Sequence, residues 1–431
     1  MHNFEGKRLL ILGGAFQHCK VVEEAHGMGM TVYVADYLDP CDSPAKQIAD
    51  VAVKIDVKDF DSLADFCKAE KIDGVLAVCL DVCQRPYQQL CEKLGLPCFG
   101  SYDQFYRLTD KKAFKKYCVE NGVDVIPEYD ADIFLSDAAE QQKVEYPVLV
   151  KPVDSRGSRG STVCSNCDEV REAIALASRE SSNGTVLIEK YMGNKKDICV
   201  TYLVVNGEVY LTRVGDRWLG RIEDKMERVS MMGMAPSDYI KMYVENVNDR
   251  VATMLKNMGL KNAPAFMQGF VDGETVRFYD PGLRYPGAEY ERLYKKVHGV
   301  SLIAPLLEFA ITGNISQNSY IPKDGYLQKG KSTPYLLISL RPGKIAKIVG
   351  EEEVRNHPSV VSMYTKYGVG DTVGEHYNVN QRFCEIDVVC DNRAELKKLI
   401  SWIYDTLKVI DENGNDMVFS KLDVSCIKEE I

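Results

Sequence analysis

Tyr146-Pro-Val-Leu-Val-Lys151-Pro-Val-Asp-Ser-Arg156-Gly157-Ser-Arg159-Gly160-Ser161 is the stretch on which the fold turns. An apolar strand carries a lysine to its end, and a serine-bearing glycine loop follows at once. The lysine supplies a point charge, and the glycines let backbone N–H groups approach anionic oxygens without a Cβ in the way. That combination suits a polyphosphate. The spacing is neither Gly-x-x-x-x-Gly-Lys-Ser/Thr nor Gly-x-Gly-x-x-Gly, so the two commonest phosphate loops are not written here.

Outward from the loop, 161–164 reads as a return strand, and Asn166-x-x-Glu169 opens a helix to about residue 180, completing a small α+β unit. Upstream, Thr109 is a cap for a helix to about Glu120, stopped by Asn121-Gly122. Downstream come a strand over 186–192 and two hairpins, 198–205 with 209–214 through Asn206-Gly207, and 265–271 with 275–279 through Asp272-Gly273. The segment 215–237 mixes glycine, methionine and charge without a steady period, and is expected to be a mobile loop near the site. Residues 7–100 alternate apolar strands (7–12, 31–36, 74–79, 97–99) with amphipathic helices, the rhythm of a parallel sheet. Gly13-Gly14 with Asp36 hints at a dinucleotide fold, but the third glycine of that fingerprint is missing, so no bound NAD is expected. Beyond about 320, strands at 334–340, 344–349 and 383–390 and a helix over 393–406 predict a compact α+β unit.

At 431 residues the chain exceeds one ordinary core, so several subdomains are expected. Its formal net charge of −10 argues against a nucleic-acid or anionic-membrane partner, either of which rewards a broad positive field. No apolar run approaches the roughly 18 residues of a membrane span. The fourteen cysteines are scattered through apolar runs, and no basic segment followed by an apolar one opens the chain. These features predict a reduced, cytoplasmic protein. Cys164-x-x-Cys167 is half of a zinc pattern and lacks its second pair.

Three separated segments, Thr109-Asp110-Lys111-Lys112-Ala113-Phe114, the 146–161 strand and loop, and Ile188-Glu189-Lys190-Tyr191-Met192, together resemble the ATP-grasp ligases. The likeness is to carbamoyl-phosphate-synthase-like enzymes and amino-acid ligases, and it covers nearly the whole chain. It implies a multidomain α/β and α+β architecture. A parallel-sheet domain over 1–105 would precede an ATP-grasp domain over 106–320, with a lid at about 125–188. A small α+β C-terminal domain over 321–431 would follow, similar to the closing domain of biotin carboxylase.

The resemblance further implies ATP and Mg²⁺. Lys111 and Lys151 would bracket the α- and β-phosphates; Arg156, Gly157, Ser158, Gly160 and Ser161 would form the closing loop. Glu189, Lys190, Tyr191 and Met192 would meet adenine, and Asp197 the ribose. The family's metal ligands are an acid on one strand and Glu-x-Asn-Pro-Arg at the end of the next. Here the first position is Gln268, and the second segment reads Phe278-Tyr279-Asp280-Pro281-Gly282-Leu283-Arg284. Phe278 stands where the glutamate is expected, Asp280 replaces the asparagine and Arg284 is displaced. Asp280 and Gln268 are therefore the candidate metal ligands, with Glu289 or Glu291 as helpers.

The implied chemistry is ligation of a small carboxylate to an amine through an acylphosphate, with Lys151 and Arg284 as catalytic groups. Nucleotide binding with little turnover and a bicarbonate-using carboxylase or synthase are the alternatives. Arg213, Arg217, Arg221 and Tyr290 are candidates for choosing the substrate. Relatives of this kind are often dimers, so a homodimer is the implied assembly.

Overall fold

The structure, a computed structural model, describes residues 4–152, 161–181, 184–221, 228–288, 290–316, 321–375, 379–419 and 421–429. Its first sheet holds β1 (Arg8–Leu12), β2 (Thr31–Asp36), β3 (Val51–Lys54) and β4 (Gly74–Leu76), all parallel, in the order β3-β2-β1-β4. Leu9 to Leu12 are fully buried, as expected for a strand covered on both faces by helices. The strand expected at 97–99 does not form, and β3 supplies the edge instead. That edge is short and half exposed, so it lacks the apolar run by which its neighbours are recognised.

The Gly13-Gly14 turn has a local explanation. The Asp36 carboxylate accepts from the Ser43 hydroxyl (2.8 Å) and the Leu38 N–H (2.8 Å), and pairs with Lys46 Nζ (2.7 Å). A Cβ on Gly14 would collide with that carboxylate and with the Ser43 hydroxyl. Glycine is thus required by an internal network that already occupies the acid.

The lid sheet holds β5 (Glu128–Asp130), β6 (Val148–Pro152), β7 (Thr162–Cys164) and β8 (Val186–Lys190), antiparallel in the order β5-β8-β6-β7. The helix Cys167–Glu180 covers it. Asn166 Oδ1 caps that helix by accepting from the Glu169 N–H (3.0 Å), and Val170, Ala173, Ile174 and Ala177 face the sheet.

The largest sheet has nine strands. It comprises β9 (Asp197–Val205), β10 (Glu208–Arg221), β11 (Arg228–Ala235), β12 (Ala263–Asp272), β13 (Thr275–Gly282) and β14 (Thr333–Leu340), together with strands from further on. After β15 (Gly343–Val349) come β16 (Val360–Thr365), β17 (Thr372–Val373), β18 (Arg382–Val388), β19 (Lys408–Asp411) and β20 (Val418–Phe419). The order is β13-β12-β9-β10-β11-β14-β18-β16, with β20 also on β14, while β17-β15-β19 form a separate small sheet. Strands on either side of residue 320 therefore share one sheet, so that boundary divides the chain without dividing the sheet.

Both expected hairpins form. Asn206 and Gly207 have φ of 52° and 83°, the left-handed pair that a tight turn between right-twisted strands demands. The expected loop over 215–237 is instead the long arm of β10 and the whole of β11 on its described residues, with 222–227 outside them. Alternate β10 positions are Arg213, Gly215 and Arg217, so its buried face carries no apolar signal to read.

Candidate active site

The register of β12 against β13 fixes the site. Gly269 pairs with Phe278 but Gln268 pairs with Asp280, so Tyr279 is an extra residue on β13. Such a bulge shifts the facing of every later side chain. Phe278 is fully buried in the main core, whereas the Tyr279 hydroxyl reaches Gln268 Oε1 at 3.2 Å. The strand pairing thus corrects the frame taken from the Asp-Pro dipeptide: Phe278 is a core residue, and Asp280 is the residue opposite Gln268. Counted from Asp280, Arg284 is four residues on, the same interval that separates glutamate from arginine in Glu-x-Asn-Pro-Arg. Gly282 then falls at the asparagine position, where a Cβ would collide with the Phe266 ring.

Beside this pair lies a second cluster. Arg217 Nη1 donates to both carboxylate oxygens of Asp197 (3.0 and 3.1 Å), to Gln268 Oε1 (3.0 Å) and to the Tyr279 hydroxyl (3.1 Å). The Tyr279 hydroxyl also donates to Asp197 at 2.9 Å. Asp197 is 3% exposed. Burial lifts its carboxyl above the usual aspartate range, a shift that Arg217, Tyr279 and Lys196 reduce. Asp197, expected at a ribose, is therefore committed to a buried ion pair with Arg217.

Arg284 is similarly occupied. Its guanidinium is forked onto Asp81, with Nε and Nη2 donating at 2.7 and 2.6 Å, while Nη1 donates to the carbonyls of Cys79 (3.2 Å) and Tyr285 (2.7 Å). Gln84 Oε1 accepts from the Leu283 N–H at 3.0 Å. Together these bonds tie the segment after β13 to the start of the helix Asp81–Leu94 in the first sheet's layer. Asp280 lies in the fields of Lys111, Asp81, Arg284 and Arg217. Burial raises its carboxyl above the usual range, Asp81 adds to the rise, and the three cations oppose it. Lys111, the first residue of the helix Lys111–Glu120 behind the Asp110 cap, is one of those cations.

On the lid, Lys151 Nζ is 2.5 Å from Glu189 Oε1, joining the end of β6 to β8. The next residue points elsewhere. Lys190 pairs with Glu145 and Asp272 (both 2.7 Å), and Asp272 also pairs with Lys195 (2.9 Å) and Arg277 (2.7 Å). The Lys190 side chain, expected to meet adenine, is turned by strand alternation away from Glu189 and into a structural ion cluster. The Tyr191 N–H is taken by the Pro147 carbonyl (2.8 Å). Among the described residues the Met192 N–H has no backbone acceptor, and its side chain is buried. Ser161 is half-buried just before β7; Arg156, Gly157, Ser158 and Gly160 lie outside the described residues, as does Glu289. Glu291 forms a buried ion pair with Lys20.

Comparison with known proteins bears on this arrangement. Residues 110–263 match the carbamoyl-phosphate synthase L chain, ATP binding domain, and residues 335–412 match the L-amino acid ligase C-terminal domain 2. Over these two segments the chain is similar to the ATP-grasp ligases. Formate-dependent phosphoribosylglycinamide formyltransferase of Haemophilus ducreyi is 23% identical over 364 residues, 81% of this chain and 89% of its own. Phosphoribosylglycinamide synthetase from Anaerococcus prevotii superposes with a TM-score of 0.76 at 16% identity, covering 94% of this chain and all of that one. L-amino acid ligase from Bacillus licheniformis gives 0.72 at 17%, covering 95% and 100%. Among the described residues no helix is long and apolar enough to cross a membrane.

The ATP-grasp site fits Mg²⁺ on one side only. Asp280 offers a carboxylate, and Mg²⁺ accepts one or two protein carboxylates plus phosphate and water oxygens. Gln268 already accepts from Arg217, and no group of three or more acids, histidines or cysteines gathers among the described residues. Sequence reasoning missed Asp81 altogether, because its partner is 203 positions away. It also missed the Asp197–Arg217–Tyr279 set, whose only local sign is the Arg-x-Gly-x-Arg alternation of β10.

Proposed function

We infer that this ATP-grasp protein joins a small carboxylate to an amine at the expense of ATP. The observation that supports this most directly is the grouping of Lys111, Asp280 and Arg284 at the end of a hairpin whose register faces Asp280 to Gln268. Adenine would lie against Met192 and the β8 end, and Lys111 and Lys151 would reach the phosphates. A lysine ammonium on a flexible stem suits a moving phosphoryl group, and Lys151 would exchange Glu189 for phosphate oxygens when nucleotide arrives. Mg²⁺, held by Asp280 with Gln268 as a weaker oxygen, would supply charge neutralisation on the triphosphate when bound.

In the first step a carboxylate oxygen of the substrate attacks the γ-phosphorus and the bond to the ADP oxygen breaks, leaving an acylphosphate. In the second an amine nitrogen attacks the acyl carbon, phosphate leaves with the C–O bonding pair, and the nitrogen loses a proton. Positioning and fixed charge carry such transfers. Arg284 acts mainly as a positioning residue here, because four of its five N–H donors are spent on Asp81, Cys79 and Tyr285.

A second reading, nucleotide binding without turnover, is favoured by the commitment of Gln268 to Arg217. Incubation with Mg²⁺, ATP and paired amino acids, followed by mass spectrometry for ADP and an amide, separates the two. Amide formation that Lys151→Ala lowers by about a hundredfold or more is the expected result. Saturable ATP binding with no ADP from any pair would establish the second reading.

A further inference from the structure

Arg213 is the least satisfied cation among the described residues. It is 2% exposed, yet its Nε and Nη2 have no hydrogen-bond partner there. An unpaired buried guanidinium is costly, and native proteins rarely retain one without a use for it. Its surroundings are shaped for something flat. The guanidinium lies over Gly215, where a Cβ would collide with it, and its Cζ stands 5.8 Å from the Tyr290 ring centroid and 5.6 Å from that of Tyr335. The Tyr335 ring in turn lies over Gly233, again in the space of a Cβ. Two missing side chains and two rings thus surround a guanidinium plane whose Nε and Nη2 have no acceptor among the described residues.

The place of that edge is set by the sheet. Gly215 pairs with Cys199, Cys199 with Gln268, and Gln268 with Asp280, so all four lie in one transverse row on one face. At a strand spacing of about 4.8 Å, Gly215 is roughly 10 Å from Gln268 and roughly 14 Å from Asp280. The charge there is also favourable to anions. Buried Cys199 lies in the fields of Arg213, Arg217 and Arg284, with Asp197 as the opposing acid, and Asp197 is already paired.

The geometry points to Arg213 as the recognition group for a second oxyanion, a carboxylate that belongs to the substrate but is not the one activated by ATP. The inference rests on the ligase reading for the identity of the reacting end, and it deepens that reading by naming a subsite. A carboxylate matches the fork of a guanidinium with two parallel N–H bonds, and the rest of the ligand would extend along the row toward Gln268. A phosphate ester offers the same oxygens and is the competing source.

Isothermal titration with succinate, L-alanine, L-alaninamide and inorganic phosphate tests this, with and without a non-hydrolysable ATP analogue, on the full chain and on Arg213→Met and Arg213→Lys. We expect succinate or L-alanine to bind the wild type and alaninamide not to. Arg213→Met should weaken the carboxylate by about tenfold or more, with Arg213→Lys intermediate and ATP-analogue affinity unchanged in both. Equal carboxylate affinity in wild type and Arg213→Met, or silence of the whole panel, overturns the proposal. Phosphate bound in preference, and lost in Arg213→Met, overturns the carboxylate assignment. Failure of the wild type to bind the ATP analogue would strike the ligase reading instead, and the response of the acids to Arg213→Met would still decide this one.

Discussion

Arg284, just after β13, and Arg213, on β10, are both almost wholly buried, at 7% and 2% exposure, and they are opposites. Where β13 meets the helix Asp81–Leu94, Arg284 makes four hydrogen bonds and lies 4.5 Å over the Phe266 ring. On β10, Arg213 has two aromatic rings within 6 Å and no acceptor for Nε or Nη2 among the described residues. Burial alone therefore does not distinguish a structural cation from one held ready for a ligand. The number of donors already spent does.

Stability measurements sharpen the contrast. Asp81→Ala should cost the most, about 2–3 kcal/mol in urea unfolding, because it leaves two Arg284 donors buried without acceptors. Arg284→Met should cost less, since the Asp81 side chain is 68% exposed and regains water when its partner goes. A larger loss from Arg284→Met than from Asp81→Ala would break the account of that latch. Arg213→Met should go the other way, stabilising the fold by about 1–2 kcal/mol as an unpaired guanidinium gives way to an apolar chain of similar reach. Destabilisation on that scale would mean that Arg213 supports the fold and would erase the comparison.

The smallest effect concerns Asp280, which lies in the field of Arg284. Burial holds its carboxyl above the ordinary aspartate range, so the folded state binds that proton more tightly than the unfolded chain does. The resulting stability is present in acid and fades as pH rises through the raised value. Asp280→Asn should therefore match the wild type in acid and exceed it at neutral pH, while lowering any Mg²⁺-dependent turnover. Parallel unfolding curves for the two proteins across that pH interval would contradict the assignment.

Much of this architecture was legible in the chain. Asn206-Gly207, the Asn166 cap and the apolar run at 148–150 each have a local cause, and each appears where that cause predicts. The site was legible as a set of residues but not as a frame. A single bulged residue, Tyr279, decides whether Phe278 or Asp280 looks at Gln268, and no property of the sequence around it announces the extra position. The long arm of β10 was hidden for a related reason. Its inward residues are arginine and glycine, chosen for what lies above the sheet, so the alternation that betrays an ordinary strand is missing.

The continuity of the nine-stranded sheet limits how this molecule can be taken apart. β14 hydrogen-bonds along β11 and carries β18 beyond it, so a chain ended near residue 320 would bare the outer row of β11 amides and carbonyls. Such a row is a template for joining another copy's edge. A chimera that borrows its last hundred residues from a relative would consequently need a matching strand seam, and a well-chosen linker would not suffice.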